Sequence, residues 1–235
     1  MKHYSTFIKT FTILVGGIVA FSVGLAAGYV VFHPEVLFTK PHQSQQIVTP
    51  VPSESSVNKT TAFRLDVQQR EQEYITMLLQ LTRSTYDGAG DISAVTLQVN
   101  ANANERAELY GEYFGNETKD SYKKFQDENT NGFIAYTNAV KRNNKIGMDN
   151  ATKRLISNIA SQSAMLQKVN KELPANGLNK LSTDKIILLK ESIDAYADGN
   201  YPLAYSKQRE AFAQTSNIAT AQANAIIKMF PEKFK

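Results

Sequence analysis

Between Phe11 and Phe32 the sequence places 22 residues without a charged side chain. Wound as a helix, that stretch spans about 33 Å, enough to cross the hydrocarbon core of a bilayer. Lys2 and Lys9 precede it, and Glu35 is the first charge beyond it. Basic residues stay on the cytoplasmic side, so the expectation is a cytoplasmic N-terminus at residues 1–10 and a single-pass signal-anchor at residues 11–32. Everything after it then lies outside the cell membrane, extracellular or periplasmic. A cleaved signal is the alternative, with Leu25-Ala26-Ala27-Gly28 offering small residues. Its apolar region would be shorter, however, and the run here closes on Tyr29-Val30-Val31-Phe32, a poor exit for a peptidase. Gly24 and Gly28 stand four apart, the spacing at which two membrane helices can pair closely.

Past the membrane segment, residues 41–235 carry 23 Lys and Arg against 21 Asp and Glu, mixed along the chain. Without a basic stripe, nucleic acid is not an expected partner. The chain has no cysteine, which removes disulfides, thiolate nucleophiles and thiolate metal ligands. An exported domain of this kind depends on its apolar core alone. Residues 33–61 form a flexible extracytoplasmic tether in this reading, because Pro41, Pro50 and Pro52 sit among Gln, Ser and Thr with little to bury.

From Ala62 to residue 235 the apolar residues recur at three and four, the period of one helix face. Tyr74, Met77, Leu78 and Leu81 mark a first helix ending near Asp87-Gly88. Ile92, Val95, Val99, Ala103 and Tyr110 mark a second, with Asp91 as its N-cap and Gly115-Asn116 as its break. Tyr122, Phe125, Phe133 and Tyr136 mark a third that stops at Asn143-Asn144. Leu155, Ile159, Leu166 and Val169 mark a fourth, ended by Pro174 and Gly177. Ser182-Thr183-Asp184 caps a fifth carrying Ile186, Leu189 and Ile193, and Gly199-Asn200 turns into a sixth with Pro202 in its first turn. The expected fold is all-α: an N-terminal transmembrane helix, then an antiparallel bundle of about six helices.

Part of that bundle looks duplicated. Ser157-Asn158-Ile159-Ala160 returns 59 residues later as Ser216-Asn217-Ile218-Ala219. Asn138-Ala139 with Asn143-Asn144 matches Asp194-Ala195 with Gly199-Asn200. Helices three and four, and helices five and six, therefore read as copies of one hairpin.

The chemistry the domain lacks is as informative. Its three histidines, His3, His33 and His42, all fall outside the bundle. No Ser-His-Asp triad, zinc site or di-iron Glu-x-x-His pair can be assembled, and no glycine-rich phosphate loop is present. No catalytic, cofactor or metal residues are assigned. The acidic pairs Glu71/Glu73, Glu105/Glu108 and Asp127/Glu128 read as solvated helix faces. Asn129, Gln162 and Gln222 fall on apolar stripes, where buried amides need partners. Either they bond to each other and fix helix register, or they line a polar pocket for a small ligand. Tyr74, Tyr136 and Tyr196 read as core residues with a polar tip, and Tyr74 joins the amides as a candidate pocket residue.

The stretch from Glu71 to Phe234 resembles a poorly characterised family of bacterial helical proteins, often exported. The resemblance rests on Leu81-Thr82-Arg83, Tyr113-Phe114-Gly115, Gly199-Asn200-Tyr201 and the ending Ile227-Lys228-Met229-Phe230-Pro231-Glu232-Lys233-Phe234. It implies a helical domain with no assured activity. Relatives tend to carry helix-borne histidines where this chain has Tyr74, Asn129 and Lys185, so the resemblance transfers no site. The leading expectation is a non-enzymatic, membrane-anchored bundle that binds an envelope protein or a small molecule. A sensor-type bundle signalling through a partner is one alternative, and an enzyme working without His or Cys is another.

Overall fold

A computed structural model describes residues 58–235. The anchor at residues 11–32, its Gly24/Gly28 pair and the tether up to residue 57 lie outside the described residues. No helix among the described residues is long and apolar enough to cross a membrane.

The described residues are all-helical, without strands: α1 Lys59–Asp87, α2 Ile92–Phe114, α3 Asn116–Lys141, α4 Lys145–Val169, α5 Ala175–Ala197 and α6 Tyr201–Met229, with a short 3-10 turn at Pro231–Phe234. Three local expectations need correction. First, α1 starts at Lys59 rather than Ala62, because the Asn58 side chain accepts a hydrogen bond from Thr60 N at 2.9 Å and caps it. Second, α4 ends at Val169, and Pro174 opens α5 instead of closing α4. Proline has no N–H to lose at a helix start, and its carbonyl takes the Leu178 N–H at 2.9 Å. Ser182-Thr183-Asp184 consequently lies inside α5; buried Leu178 extends the apolar stripe a full turn ahead of it. Third, Asp91 occupies the N-cap position of α2 but makes no capping bond with its side chain.

The repeat runs through all six helices, not four. Each odd helix ends in the same reverse turn, where an N–H bonds to the carbonyl five residues back. These bonds are Ala89 to Ser84 at 2.9 Å, Asn144 to Ala139 at 2.8 Å and Asn200 to Ala195 at 2.8 Å. A left-handed residue sits inside each: Gly88 (φ 72°), Asn143 (φ 50°) and Gly199 (φ 72°). This is the Schellman closure, which satisfies carbonyls a helix end leaves over. The three turns stand 55 and 56 residues apart, and buried positions keep that spacing. Leu78, Phe133 and Leu189 are all buried, as are Ile75, Thr130 and Ile186, and Leu81, Tyr136 and Ser192.

The even helices repeat at 56 and then 60 residues. Val99, Leu155 and Thr215 correspond, as do Tyr110, Leu166 and Ile226, all buried. The four additional residues before this stretch of α6 amount to about one helical turn, so the apolar face is preserved. The identical tetrapeptides at Ser157 and Ser216 are 59 apart, one residue out of this register; Ile159 corresponds to buried Ala219.

Helices α1, α3 and α5 touch one another around an axis, and each even helix packs against the two odd helices that flank it. Adjacent α1 and α6 close the ring. At one end of the bundle, Phe63 near the start of α1 packs on Phe234 with ring centroids 5.0 Å apart, and Tyr113 stacks on the same ring at 6.1 Å. The apolar interior falls into two main clusters. One, around Leu78, Phe133, Leu155 and Leu189, lies toward the reverse turns; the other, around Tyr110, Leu166, Leu178 and Ile226, lies toward the opposite end.

At Gly199 an added Cβ would meet nothing within 4 Å, so a side chain there costs backbone strain alone. Gly199→Ala is expected to destabilise the domain by about 1–2 kcal/mol. Asn143→Gly, at the equivalent turn, is expected to be neutral or stabilising. Urea unfolding followed by circular dichroism reads both; equal effects at the two turns would contradict their equivalence.

Candidate functional site

Between the two apolar clusters, polar residues from all six helices meet. The periodicity places them there: Glu71 lies three residues before Tyr74 and four before Ile75, and Arg106 lies three after Ala103 and four before Tyr110. Both are on the buried stripe of their helix, at 3% and 4% exposure. Two opposite charges in such a place need each other. The Arg106 guanidinium donates to Glu71 Oε1 through Nε at 3.1 Å and through Nη2 in a second, closer contact. Its Nη1 donates to Gln126 Oε1 at 2.8 Å, and Nη2 also donates to the Tyr122 hydroxyl at 2.9 Å. The Tyr74 ring lies under the guanidinium, 4.5 Å from centroid to Cζ, and Tyr110 stacks on Tyr122 at 4.2 Å. Burial pushes the Tyr74, Tyr110 and Tyr122 hydroxyls up from their ordinary values, so all three are neutral at physiological pH.

Beside this pair lies a cavity of about 30 Å³. Glu71, Tyr74, Arg106, Asn129, Gln162, Lys185 and Gln222 line it, with Ile159, Ile186 and Ile218 among the apolar walls. A space of this size holds one or two water molecules or a ligand of one to a few atoms. Its polar groups are incompletely satisfied. Glu71 Oε2, the Tyr74 hydroxyl and Gln222 Oε1 are buried with no hydrogen-bond partner. The Thr130 hydroxyl, beside Tyr74, donates to the Gln126 carbonyl at 3.1 Å. Burial lowers the Lys185 pKa; Glu71 works against that, and the Arg106 charge adds to it.

The internal repeat explains the layer. Tyr74, Asn129 and Lys185 are equivalent positions on α1, α3 and α5, and Glu71, Gln126 and Ser182 occupy the equivalent positions one turn earlier. Arg106, Gln162 and Gln222 are equivalent on α2, α4 and α6. Every one of these nine residues lines the cavity. The three positions at which the family resemblance places histidines are therefore one ring of the bundle interior. Among the described residues no group of His, Cys, Asp and Glu suits a metal ion.

The four residues singled out as polar core or pocket, Tyr74, Asn129, Gln162 and Gln222, thus converge on one site. Of the amides, Asn129 makes an interhelical bond, its Oδ1 accepting from Asn158 Nδ2 at 2.8 Å. Gln162 and Gln222 do not bond to each other or to Asn129. Tyr136 lies outside the layer, donating its hydroxyl hydrogen bond to Asp194 at 2.8 Å, and Tyr196 is only partly buried, bonding Asp87 at 2.9 Å. The reading of Glu71/Glu73 as a solvated pair is corrected. Glu73 stays on the outer side of α1, whereas Glu71 turns inward because Arg106 supplies its counter-charge. Glu71, Arg106, Tyr122 and Gln126 were missing from the sequence assignment, and the signal for the charged two was their position on the stripe.

Breaking the buried pair on one side leaves an uncompensated charge. Glu71→Gln and Arg106→Met are each expected to cost about 3–5 kcal/mol, and the double variant less than their sum. A double-mutant cycle from urea melts checks this; additive costs would contradict direct pairing. Lys185 gives a pH signature. Its folded pKa lies below the unfolded value of 10.5, so the unfolded chain holds more protons in that window and stability rises as pH rises through it. Lys185→Met is expected to be more stable than the parent at neutral pH in a sulfonate buffer free of small anions. That advantage should shrink toward pH 10; one that stays constant from pH 7 to 10 would contradict it.

No family model, curated protein or solved structure matches the chain, so the likeness to exported bacterial helical proteins rests on its short motifs alone.

Proposed function

We propose that the helical domain is a non-enzymatic binding module for a small ligand, carried outside the cell membrane on the anchor at residues 11–32. The observation that carries this reading is the unsatisfied polar layer. A layer kept only to fix helix register gains most when every member is bonded, because a half-satisfied network costs more than an apolar core. Here a carboxylate oxygen, a phenol and an amide oxygen are left open toward one cavity. Those groups fit a bound species that completes the set. A sensor role differs from plain binding only in its output: occupancy would have to alter the bundle surface that a partner protein reads. For an enzyme, the layer offers phenols, an amine and a carboxylate, and its one hydroxyl–carboxylate contact, Tyr122 to Glu71 Oε1, is long at 3.5 Å.

The test is a stability screen of the full-length protein in detergent against small solutes of distinct chemistry: halides, short carboxylates, methylammonium and acetamide. At least one class is expected to raise the melting midpoint of the parent in a saturable way and to fail with the Tyr74→Phe/Gln222→Leu double variant. If no class acts and the double variant is merely more stable, the layer is structural and the binding reading falls.

A further inference from the structure

The carboxylate of the buried pair is used on one side only. Glu71 Oε1 takes both Arg106 contacts and the long Tyr122 contact at 3.5 Å, whereas Oε2 has no protein partner. An arginine fork facing a carboxylate frequently engages both oxygens. Here the second oxygen is left to the cavity, together with Gln222 Oε1 from α6 and the Tyr74 hydroxyl, which are equally without partners. Glu71, Gln222 and Tyr74 are 3%, 5% and 3% exposed, so all three are shut off from bulk solvent.

These atoms define what a ligand must bring. Two are pure acceptors and require two donors; the third is a phenol, whose O–H can donate to one acceptor. Charge narrows the set. Arg106 already neutralises Glu71, and a further cation in the cavity would meet the Arg106 and Lys185 charges. An anion would leave both acceptors unbonded. Lys185 requires no counter-ion, because its side chain is half-exposed and hydrated. The ligand is therefore neutral, with two N–H or O–H hydrogens and one acceptor. An alcohol with a single hydroxyl leaves one acceptor open. A primary amide carries the whole pattern on three heavy atoms. Water carries it too, but an amide that replaces water keeps the bonds and adds contact with Ile159, Ile186 and Ile218, which line the same space of about 30 Å³.

We propose that the cavity binds a neutral primary amide of the size of formamide or acetamide. Its NH₂ donates to Glu71 Oε2 and Gln222 Oε1, and its carbonyl accepts from the Tyr74 hydroxyl. This rests on the small-ligand reading above and names its ligand class. Glu71 and Tyr74 belong to α1 and Gln222 to α6, so the bound amide ties together the two helices that close the ring. Occupancy therefore stabilises the fold. With three or four heavy atoms, the attainable Kd is no tighter than about 0.04 mM, and the titration has to extend through the millimolar range.

The experiment titrates the full-length protein in detergent with acetamide and, separately, with N-methylformamide. The two are isomers of equal size, but the first has two N–H hydrogens and the second one. Acetamide is expected to raise the melting midpoint saturably, by about 3–5 °C at roughly tenfold excess over its Kd. N-methylformamide leaves one buried acceptor open and is expected to bind about tenfold more weakly. The acetamide response should vanish in Gln222→Leu and in Gln222→Met and weaken in Tyr74→Phe, each variant first shown helical by circular dichroism. Equal potency of the two isomers, a response that survives both Gln222 variants, or one undiminished in Tyr74→Phe would overturn the assignment. Stabilisation by halides, acetate or methylammonium without any by acetamide would overturn the amide and leave the binding reading standing; no stabilisation by any solute would overturn both.

Discussion

A buried carboxylate and guanidinium, Glu71 and Arg106, set the terms on which the rest of this bundle is built. Taking two charges out of water is expensive, and their mutual attraction offsets the cost only with good geometry and further hydrogen bonds. Gln126 and Tyr122 supply those bonds, and the Tyr74 and Tyr122 rings flank the guanidinium. Once this group occupies the middle of the domain, the apolar residues pack above and below it as separate clusters instead of one continuous core. The polar layer is thus a divider in the packing as well as a candidate site.

The threefold arrangement accounts for how so many polar residues reach one level. Each hairpin brings the same rungs to the axis, so one rung that tolerates polarity appears three times on the odd helices and three times on the even ones. Divergence within a rung then creates the chemistry. Tyr74, Asn129 and Lys185 share a position but differ in charge and reach, and Glu71, Gln126 and Ser182 descend in size around the same axis. The asymmetry gives the cavity one side that carries the ion pair and another that carries the lysine.

Much of the helical architecture was legible in the sequence, because the three-and-four spacing of apolar residues is a direct trace of the buried face. The boundaries that failed are those where polar residues mislead. Ser182-Thr183-Asp184 has the composition of a cap but sits mid-helix, where buried Ser182 faces the polar layer, and Pro174 can open a helix as readily as close one. The repeat was visible only in its later copies, where Asn143-Asn144 and Gly199-Asn200 look alike; the first turn, Gly88-Ala89, performs the same bonding with different residues. The site was half legible. Neutral amides on an apolar stripe stand out, whereas Glu71 and Arg106 are residue types ordinarily assigned to solvent. Their burial depends on a pairing across 35 positions that no single helix pattern reveals.

The aromatic contact between Phe63 and Phe234 has a mechanical consequence. It fastens the first turn of α1 to the segment that follows α6, so the covalent entry to the domain and its final turn share one pole. A tension applied through the residues preceding Asn58 would be borne first by this clasp and by the α1–α6 seam. The polar layer lies further along the axis, and the three reverse turns beyond it are separated from that load by the whole length of the helices. The ring of hairpins therefore has one pole closed by aromatic rings from both its ends and the other closed by three hydrogen-bonded reverse turns.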